Sequence, residues 1–484
     1  MKINGLMMQY FEWHMPSGIL WRKMAEEAGR LAEEGLTALW IPPPYKGLKG
    51  AEEEGYAVYD LYDLGEFDQK GTVPTKYGSK DQLLQAVKVA QEKGLEVYAD
   101  IVLDHMMGAD GTEIVEAEEV NPDNRLETVS DIKQIEVKTH FYFPGRNKKY
   151  SDFQWHWYHF TGVDYDEKND DEGIFKFRGK YWERQVDQEN GNFDYLMGAS
   201  LDLNHPEVQE ELKRWGLWFV QTTGIDGFRL DAVKHMKFTF YNEWLNDMRT
   251  RYREELFTVG EYWSPVLEAL RNYLESTEGA LSLFDVPLHF KFHEASRKGA
   301  DFDLRSIFQD TLTALDPVKS VTFVDNHDTQ PGQSLESWVD DWFKPLAYAL
   351  ILLRREGYPC VFYGDYYGIE HDGIEPKGEM LRPLMRARAK RAYGEQHDYF
   401  DDPNVIGWTR EGDEEHPDSG LAVLLTNSDQ AAKRMYVGPN RAGAVYVDLT
   451  GNVEESVTIE EDGHGLFKVG GGSVSVWGRD AQKD

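Results

Sequence analysis

The sequence predicts an α/β protein built on a (β/α)8 barrel of the TIM type, with a β-rich domain inserted after the third strand and an antiparallel β-sandwich at the C-terminus. Short apolar runs alternate with amphipathic helical stretches through most of the 484 residues, which is typical of a parallel sheet. This alternation is interrupted between residues 104 and 206. After residue 395 it gives way to short alternating strands separated by Gly, Asn and Asp turns.

The first part of the barrel is predicted to span residues 1–103. Strand-like runs cover 6–13, 36–42 and 95–103, and a helical pattern covers 19–34. Ser79 is a suitable N-cap for a second helix because its hydroxyl can accept a hydrogen bond from a free backbone N–H. Gly94 is suited to end that helix because glycine adopts the left-handed conformation without strain. The resulting β-α-β-α-β order predicts parallel strands.

Three further segments complete the predicted domain organisation. Residues 104–206 are rich in aromatic residues, charges and glycine, with strand-like pieces and no clear helix, which indicates the inserted β-rich domain. Residues 207–395 resume the barrel after Pro206, a favourable first helical residue, and supply five more strand candidates. Eight strands joined by right-handed crossovers close economically into a barrel. Residues 396–484 form the predicted C-terminal sandwich.

Composition excludes several classes of protein. A hydrophobic fraction of 41% is enough for a large core, which excludes global disorder. The net charge of −34 disfavours nucleic acids and anionic membranes as partners. A single cysteine, Cys360, excludes an intrachain disulfide. We find neither an apolar run of membrane-spanning length nor a secretory signal at the N-terminus, so we expect a cytoplasmic protein, and we expect a monomer.

Polar residues follow several predicted strands at their C-terminal ends, where barrels of this type place catalytic groups. Any one of these residues could be an ion pair or a helix cap. Together they indicate a site, because like charges crowded together destabilise a fold. The residues are Asp104 and His105 after strand three, Arg229, Asp231, Lys234 and His235 after strand four, Glu261 after strand five, and Asn326, His327 and Asp328 after strand seven.

Two chemistries suit such a set of side chains. Two carboxyl groups in different protonation states can cleave a glycosidic bond. A metal-dependent hydrolase would instead need a denser set of His and Asp ligands, with a spacing such as His-x-His. The nearest pair, His235 and His327, lacks that spacing, so the sequence favours the first chemistry.

Four short segments resemble, in order and in spacing, the signature regions of the α-amylase family of glycoside hydrolases. They are DIVLDH (100–105), GFRLDAVKH (227–235), GEYW (260–263) and FVDNHD (323–328). Further segments, including MQYFEWHMP, NGNFDYLM and HPEVQEELKRWG, resemble the bacterial liquefying type, and the similarity covers nearly the whole chain. The resemblance implies endo-acting, retaining hydrolysis of α-1,4-glucosidic bonds in starch, glycogen or maltodextrins.

The resemblance also implies catalytic roles. Asp231 would be the nucleophile that forms a covalent glycosyl-enzyme, and Arg229 would hold it ionised. Glu261 would be the acid/base, with its pKa raised by burial and by Asp231. Asp328 would stabilise the oxocarbenium-like transition state. Retention predicts that the carboxyl groups of Asp231 and Glu261 lie roughly 5 Å apart.

The same resemblance implies substrate contacts. His105 and His327 would donate hydrogen bonds to the sugar at the cleaved bond. Tyr56 would be a stacking platform, although core packing remains an open alternative for it. The leaving-group side would be lined by Lys234, His235 and Trp263.

Calcium is the cofactor that the resemblance implies, at the junction of the barrel and the inserted domain. The ligands would be Asp104, Asp194 and the carbonyl of His235. Asp202 is retained from the set of residues that binds further cations in liquefying relatives. Calcium prefers six to eight oxygen ligands. Ser200 stands where the family has an acidic residue, and Thr161 and Glu183 replace aspartates that help to bind further cations in liquefying relatives. We therefore expect one calcium ion rather than a cluster, and a metal-free junction stays open as an alternative.

Other functions stay open at this point. Transglycosylation or α-1,6 cleavage uses the same covalent intermediate, so the catalytic residues alone do not separate these reactions from hydrolysis. The liquefying-type similarity outside the motifs favours hydrolysis at α-1,4 bonds. A non-catalytic carbohydrate-binding protein is a third reading, because fold does not determine function, and the presence of Asp231, Glu261 and Asp328 together argues against it.

Overall fold

A closed barrel of eight parallel strands forms the centre of the computed structural model, which describes residues 4–480. We number only the barrel strands: β1 Met7–Gln9, β2 Ala38–Ile41, β3 Glu96–Ile101, β4 Gly227–Leu230, β5 Phe257–Gly260, β6 Ser282–Phe284, β7 Ser320–Phe323 and β8 Tyr358–Phe362. The barrel closes where β1 pairs in parallel with both β8 and β2, with Met7 opposite Cys360 and Ala38. All eight strands predicted from the sequence are confirmed.

Ten α-helices accompany the barrel in the described part of the chain. They are α1 Leu20–Glu33, α2 Lys80–Glu92, α3 Pro206–Thr223, α4 Phe240–Arg251, α5 Leu267–Ser276, α6 Val286–Lys298, α7 Leu312–Leu315, α8 Lys344–Leu353, α9 Tyr363–Tyr367 and α10 Gly378–Arg391. Ser79 caps α2 as predicted, in a reciprocal capping box with Gln82. Pro206 begins α3, and Gly224 ends it in the left-handed conformation with φ 69°.

The insertion after β3 is a seven-stranded antiparallel sheet. Its strands are His105–Met106, Gly111–Asn121, Asn124–Thr128, Lys133–His140, Phe160–Asp166, Asp171–Phe177 and Ala199–Leu201. Strand His105–Met106 directly continues the chain from β3 and pairs with Ala199–Leu201, so this edge of the sheet stands beside the barrel opening. A small antiparallel pair, Lys46–Gly47 with Val58–Asp60, lies in the loop after β2 and was not predicted.

The C-terminal region is also antiparallel, as predicted. One sheet contains six strands: Gln396–Tyr399, Val405–Arg410, Leu421–Thr426, Val474–Arg479, Val445–Asp448 and Val457–Thr458. The other pairs Ala431–Tyr436 with His464–Val469. Both sheets contribute to one apolar cluster that includes Met435, Phe467 and Trp477. Helix α8 ends against this region, where Arg354 donates two hydrogen bonds to Asp398, at 2.7 and 2.9 Å.

Among residues 4–480, none of the helices combines the length and the apolar character needed to cross a bilayer.

A buried lysine fastens the loop that follows β7. Lys344, in α8, donates hydrogen bonds to Asp325 at 2.7 Å and to Asp365 at 2.5 Å, and the three side chains are fully buried. The hydroxyl of Tyr348 donates to the second oxygen of Asp365 at 2.6 Å. Asp325 directly precedes Asn326, so this ion cluster fixes the start of the segment that carries His327 and Asp328.

We expect Lys344→Met to lower the free energy of unfolding by about 3–5 kcal/mol, because it leaves two buried carboxylates without their cation. Urea denaturation followed by circular dichroism measures this change. Lys88→Met is the matched control, since the Lys88 side chain is 70% exposed and should tolerate the change. Equal denaturation midpoints for the two variants would contradict the structural role of Lys344.

Candidate active site

Register in the barrel sheet brings the central charged groups together. Strands β3 and β4 are parallel neighbours in which Arg229 lies opposite Asp100. Asp231 follows β4 directly, and Glu261 follows β5 directly. Because the carboxyl ends of parallel strands face the same opening, these groups meet at one end of the barrel.

Arg229 is the centre of this cluster, and its side chain is fully buried. Nη1 donates to both carboxylate oxygens of Asp100, at 2.9 and 3.1 Å, and to Oδ1 of Asp231 at 2.6 Å. Nη2 lies 2.8 Å from Oε2 of Glu261. One guanidinium therefore contacts three carboxyl groups from three neighbouring strands.

Asp100 is a member of the site that sequence reasoning did not assign. Besides Arg229, it accepts hydrogen bonds from the indole of Trp40 at 3.1 Å and from the hydroxyl of Tyr56 at 2.8 Å. The sequence signal is an acidic residue inside an otherwise buried strand, opposite Arg229 in the sheet. Asp100 does not face the opening, so it positions Arg229 and does not reach a substrate.

The pKa values of Glu261 and Asp328 are both raised above the usual range of a carboxyl group. Burial raises the pKa of Glu261, and the charge of Asp231 adds to this effect against the opposing influence of Arg229. Burial and the neighbouring Glu261 raise the pKa of Asp328 well above its usual range. Oε1 of Glu261 is buried and has no hydrogen-bond partner within residues 4–480, so its capacity for a hydrogen bond is unused.

The turn after Asp231 helps to place Glu261. Ala232 adopts the left-handed conformation with φ 52°, which costs a residue other than glycine about 1–2 kcal/mol. This turn aims the backbone N–H of Ala232 at Oε2 of Glu261, at a distance of 3.4 Å. Local strain of this kind is typical of residues held in place for function.

His327 is oriented by Gln9, a second residue that the sequence analysis missed. The side-chain amide of Gln9 lies 2.9 Å from Nδ1 of His327 and donates to it, which leaves the ring proton on Nε2. Nε2 lies 3.3 Å from Oδ2 of Asp328. Burial and Arg229 lower the pKa of His327 well below its usual range, so the ring is neutral.

Two aromatic rings form a wall beside His327. Tyr56 stacks on the imidazole with ring centroids 5.1 Å apart, and Trp13 stacks at 5.9 Å. Tyr56 is half-buried and its hydroxyl is held by Asp100. Tyr56 therefore lies beside the site rather than in a distant part of the core.

His105 is held on both ring nitrogens by protein groups. Nδ1 lies 3.0 Å from Oδ2 of Asp104, and Nε2 lies 2.9 Å from the carbonyl oxygen of Tyr56. Burial alone would lower the pKa of His105, but Asp104 raises it above the usual value. A sugar can bind this ring through the same N–H groups only if it replaces one of these partners.

Lys234 and His235 connect the barrel to the inserted domain. The ammonium of Lys234 pairs with Glu189 and lies 3.3 Å from the carbonyl of Trp263. The ring of His235 donates from Nδ1 to the carbonyl of Phe193 at 2.9 Å, and burial lowers its pKa to about 4. Trp263 is half-buried and available at the edge of the site. The three residues thus share one side of the opening.

The candidate calcium ligands divide into two groups. Asp104 and Asp194 are buried, and burial together with the charge of Asp104 raises the pKa of Asp194 to about 8. Like-charged buried carboxylates of this kind fit a hard cation held by oxygen ligands. Asp202 is instead paired with the ammonium of Lys180 at 2.6 Å. Of the three candidate carboxylates, Asp104 and Asp194 are therefore the two without a lysine partner among the described residues, and one ion held by them and the carbonyl of His235 stays a prediction.

Thr161, Glu183 and the backbone of Ser200 are engaged in hydrogen bonds within the protein. The hydroxyl of Thr161 donates to the carbonyl of Ser200 at 3.4 Å. Oε1 of Glu183 accepts backbone N–H groups from Arg184 and Gln185, at 2.6 and 3.0 Å. Protein donors already satisfy these groups, which argues against a cluster of several ions.

We expect Asp100→Asn to reduce kcat about 100-fold, because Arg229 loses the group that fixes its position. With one competing carboxylate removed, Arg229 should lower the pKa of Glu261, so the alkaline limb of the pH–rate profile should move to lower pH. Steady-state kinetics across pH measures both effects. Asp81→Asn, on the exposed first turn of α2, is the control. A loss of activity with an unshifted pH profile would contradict the positioning role.

Comparisons with known proteins show the family to which this chain belongs. The family profile described as "Alpha amylase, catalytic domain" matches residues 29–400, and that described as "Alpha-amylase C-terminal" matches residues 421–478. The chain is 58% identical over 477 residues to an α-amylase of Geobacillus stearothermophilus, covering 98% of this chain and 87% of that protein. It is 44% identical over 489 residues to the cytoplasmic α-amylase of Escherichia coli K12, covering 98% of each.

Among solved structures, the α-amylase of Geobacillus thermoleovorans in complex with acarbose has the same fold. The TM-score is 0.65, the identity is 18%, and 99% of each chain is covered. The family matches and the full-length relatives confirm the resemblance carried by the four sequence motifs. The chain therefore belongs to the α-amylase family of glycoside hydrolases.

Proposed function

We propose that this chain hydrolyses internal α-1,4-glucosidic bonds of starch, glycogen or maltodextrins with retention of anomeric configuration. The observation that carries the proposal is the pair of carboxyl groups held by one guanidinium, Asp231 and Glu261. Asp231 has a cation at 2.6 Å, as a nucleophile requires, while Glu261 has a raised pKa, as a general acid requires.

In the first step, an oxygen of Asp231 attacks the anomeric carbon as the bond to the glycosidic oxygen breaks. Glu261 gives its proton to that oxygen, and the leaving chain departs with a free hydroxyl. In the second step, the Glu261 carboxylate takes a proton from water while the water oxygen attacks the same carbon and releases Asp231. Two inversions give net retention.

The other site residues bind and orient the sugar in this proposal. Asp328, whose pKa is raised, hydrogen-bonds sugar hydroxyls, and His327 donates from Nε2. Tyr56 stacks on the sugar ring, and His105 donates a hydrogen bond to the same sugar. On the leaving-group side the glucan is bordered by Lys234, His235 and Trp263.

Two alternatives lead to different products. A transglycosylase would pass the glycosyl group from Asp231 to a sugar hydroxyl, and an α-1,6-acting enzyme would cleave branch points. A non-catalytic carbohydrate-binding protein would release nothing. Digestion of linear amylose in water distinguishes α-1,4 hydrolysis from each of these alternatives. We expect a rapid fall in chain length, one new reducing end per cleavage, and the α-anomer as the product first seen by NMR.

We propose that the enzyme acts in the cytoplasm on stored glycogen or imported maltodextrins. The support is its 44% identity over 98% of its length to a relative named as cytoplasmic. That it is a monomer stays a prediction.

We expect Glu261→Gln to lower kcat on amylose by about 10²–10⁴-fold, because the amide cannot protonate the leaving oxygen. An aryl maltoside with an acidic phenol as leaving group needs no such proton, so the variant should form the glycosyl-enzyme from it. Asp231→Asn should lose activity on both substrates. In the unchanged enzyme, activity should fall as pH rises through the raised pKa of Glu261, since the acid must be protonated.

Glu268→Gln is the matched control, since Glu268 is exposed on α5. If Glu261→Gln retained full activity on amylose, or if the β-anomer appeared first, the assignment of Glu261 as the acid in a retaining reaction would be wrong.

A calcium ion at Asp104 and Asp194 is also a proposal. When bound, calcium would neutralise the negative charge of these two carboxylates and would join the barrel to the inserted domain. The residues of this chain would hold it by two carboxylates and one carbonyl, while Lys180 keeps Asp202 neutralised.

After exhaustive dialysis against a chelator, we expect added calcium to raise the melting temperature, because it binds the folded state. Asp194→Asn should abolish that rise. Asp202→Asn should retain it, since Lys180 and not a metal is its partner. If the melting temperature and starch hydrolysis of the unchanged protein were the same with and without calcium, the junction would be closed without metal and the proposal would fail.

A further inference from the structure

Two histidines and an aspartate lie together at the rim of the barrel opening, outside the catalytic residues. Each of His14, His371 and Asp372 offers one ligand atom, and these atoms all lie within 4.8 Å of one another. The imidazole rings of His14 and His371 stack with centroids 3.6 Å apart. Nε2 of His14 lies 3.9 Å from Oδ1 of Asp372, and Nδ1 of His371 lies 2.6 Å from the same oxygen.

Closure of the barrel brings these residues together. His14 lies in the loop after β1, while His371 and Asp372 lie in the short helical turn Glu370–Asp372 that follows α9 and β8. Because β1 and β8 are paired neighbours, their C-terminal loops meet at the same edge of the opening. The group therefore links the first and last strands of the barrel.

Buried polar contacts hold one side of the group in place. Gln330 donates from its amide to Oδ2 of Asp372 at 3.3 Å and to Glu12 at 3.4 Å. Its oxygen accepts the backbone N–H of Trp13 at 3.2 Å. The carboxylate of Asp372 and the backbone next to His14 are thus held in position before any ligand arrives, and preorganised ligands bind metals more tightly.

The remaining ligands can adjust to a tetrahedral ion. Zinc takes nitrogen and oxygen ligands at about 2.0–2.1 Å, which places two ligand atoms roughly 3.3 Å apart. The His371 side chain is 63% exposed and free to move that far. The amide of Gln333 lies 3.5 Å from Nε2 of His14, and a half-turn of that amide would present its oxygen as a fourth ligand.

A second such group in residues 4–480, His159, His205 and Glu207, is less suited to a metal. His159 accepts the backbone N–H of His156 on Nδ1 at 3.0 Å and lies 3.0 Å from Glu207 through Nε2. Both nitrogens of that ring are therefore in use, and metal binding would cost the protein a hydrogen bond. This group serves as an internal comparison.

We propose that His14, His371 and Asp372 form a binding site for a divalent transition-metal ion of the zinc type. The site is distinct in chemistry from the proposed calcium ligands, because imidazole nitrogen suits zinc whereas carboxylate and carbonyl oxygens suit calcium. It adjoins the glucan site through Trp13, whose ring lies 5.9 Å from that of His327. A bound ion would fasten the β1 and β8 loops beside the opening.

The test is calorimetric titration of the full chain with Zn²⁺ in the presence of excess calcium, which keeps zinc away from oxygen-ligand sites. We expect His14→Gln and His371→Gln each to weaken one zinc site by more than about tenfold, the least that loss of a ligand should cost. His205→Gln is the matched control, because it removes a histidine from the other group and should leave that site unchanged.

A second measurement keeps the result independent of folding defects. Zinc should raise the melting temperature of the unchanged protein and of His205→Gln, and should raise it less in His14→Gln and His371→Gln. Circular dichroism without zinc confirms that the variants are folded. Unchanged zinc affinity in both His14→Gln and His371→Gln, or loss of zinc binding only in His205→Gln, would overturn the proposal.

Discussion

The buried guanidinium of Arg229 is the interaction on which the catalytic end of the barrel depends. A cation without solvent is tolerated only if its charge is matched, and here Asp100, Asp231 and Glu261 provide that match. The three carboxyl groups depend on Arg229 in turn, because they could not be brought so close together without its positive charge. The site is therefore a single charge cluster, and a change at one member alters the ionisation of the others.

The three carboxyl partners of Arg229 differ in exposure, and this difference separates their tasks. The Asp100 side chain is fully buried, whereas those of Asp231 and Glu261 are 11% and 9% exposed and face the opening. Asp100 can thus hold Arg229 from the protein side, while the other two remain open to a substrate. Arginine suits this role better than lysine, because its planar group reaches several carboxylates at fixed angles.

The sequence predicted most of the architecture and the residues at the strand ends for one physical reason. Alternation of apolar runs with helical patterns reports a parallel barrel, and a parallel barrel gathers whatever follows its strands. Asp231, Glu261 and Asp328 could be found in this way. Asp100 and Gln9 could not, because they lie within strands and their importance comes from neighbours in the sheet, which local sequence does not reveal.

Pairings between distant segments were missed for a related reason. In the sequence, Lys344 has the pattern of an ordinary helix residue. In the structure, it is the buried partner of Asp325 and Asp365. Lys180 reads as a surface cation, yet it neutralises Asp202. In both cases the sequence shows the acid, and only the fold shows the base that meets it.

Substrate binding should increase the difference in protonation between the carboxyl groups of the charge cluster. A sugar ring that covers the opening removes water from Glu261 and Asp328, and loss of water favours the neutral form of an acid. Asp231 keeps its hydrogen bond to Arg229 under the same cover, because that bond lies on the protein side. The covered site therefore holds a proton donor and an anion at the same time, which is the combination that glycosidic cleavage requires.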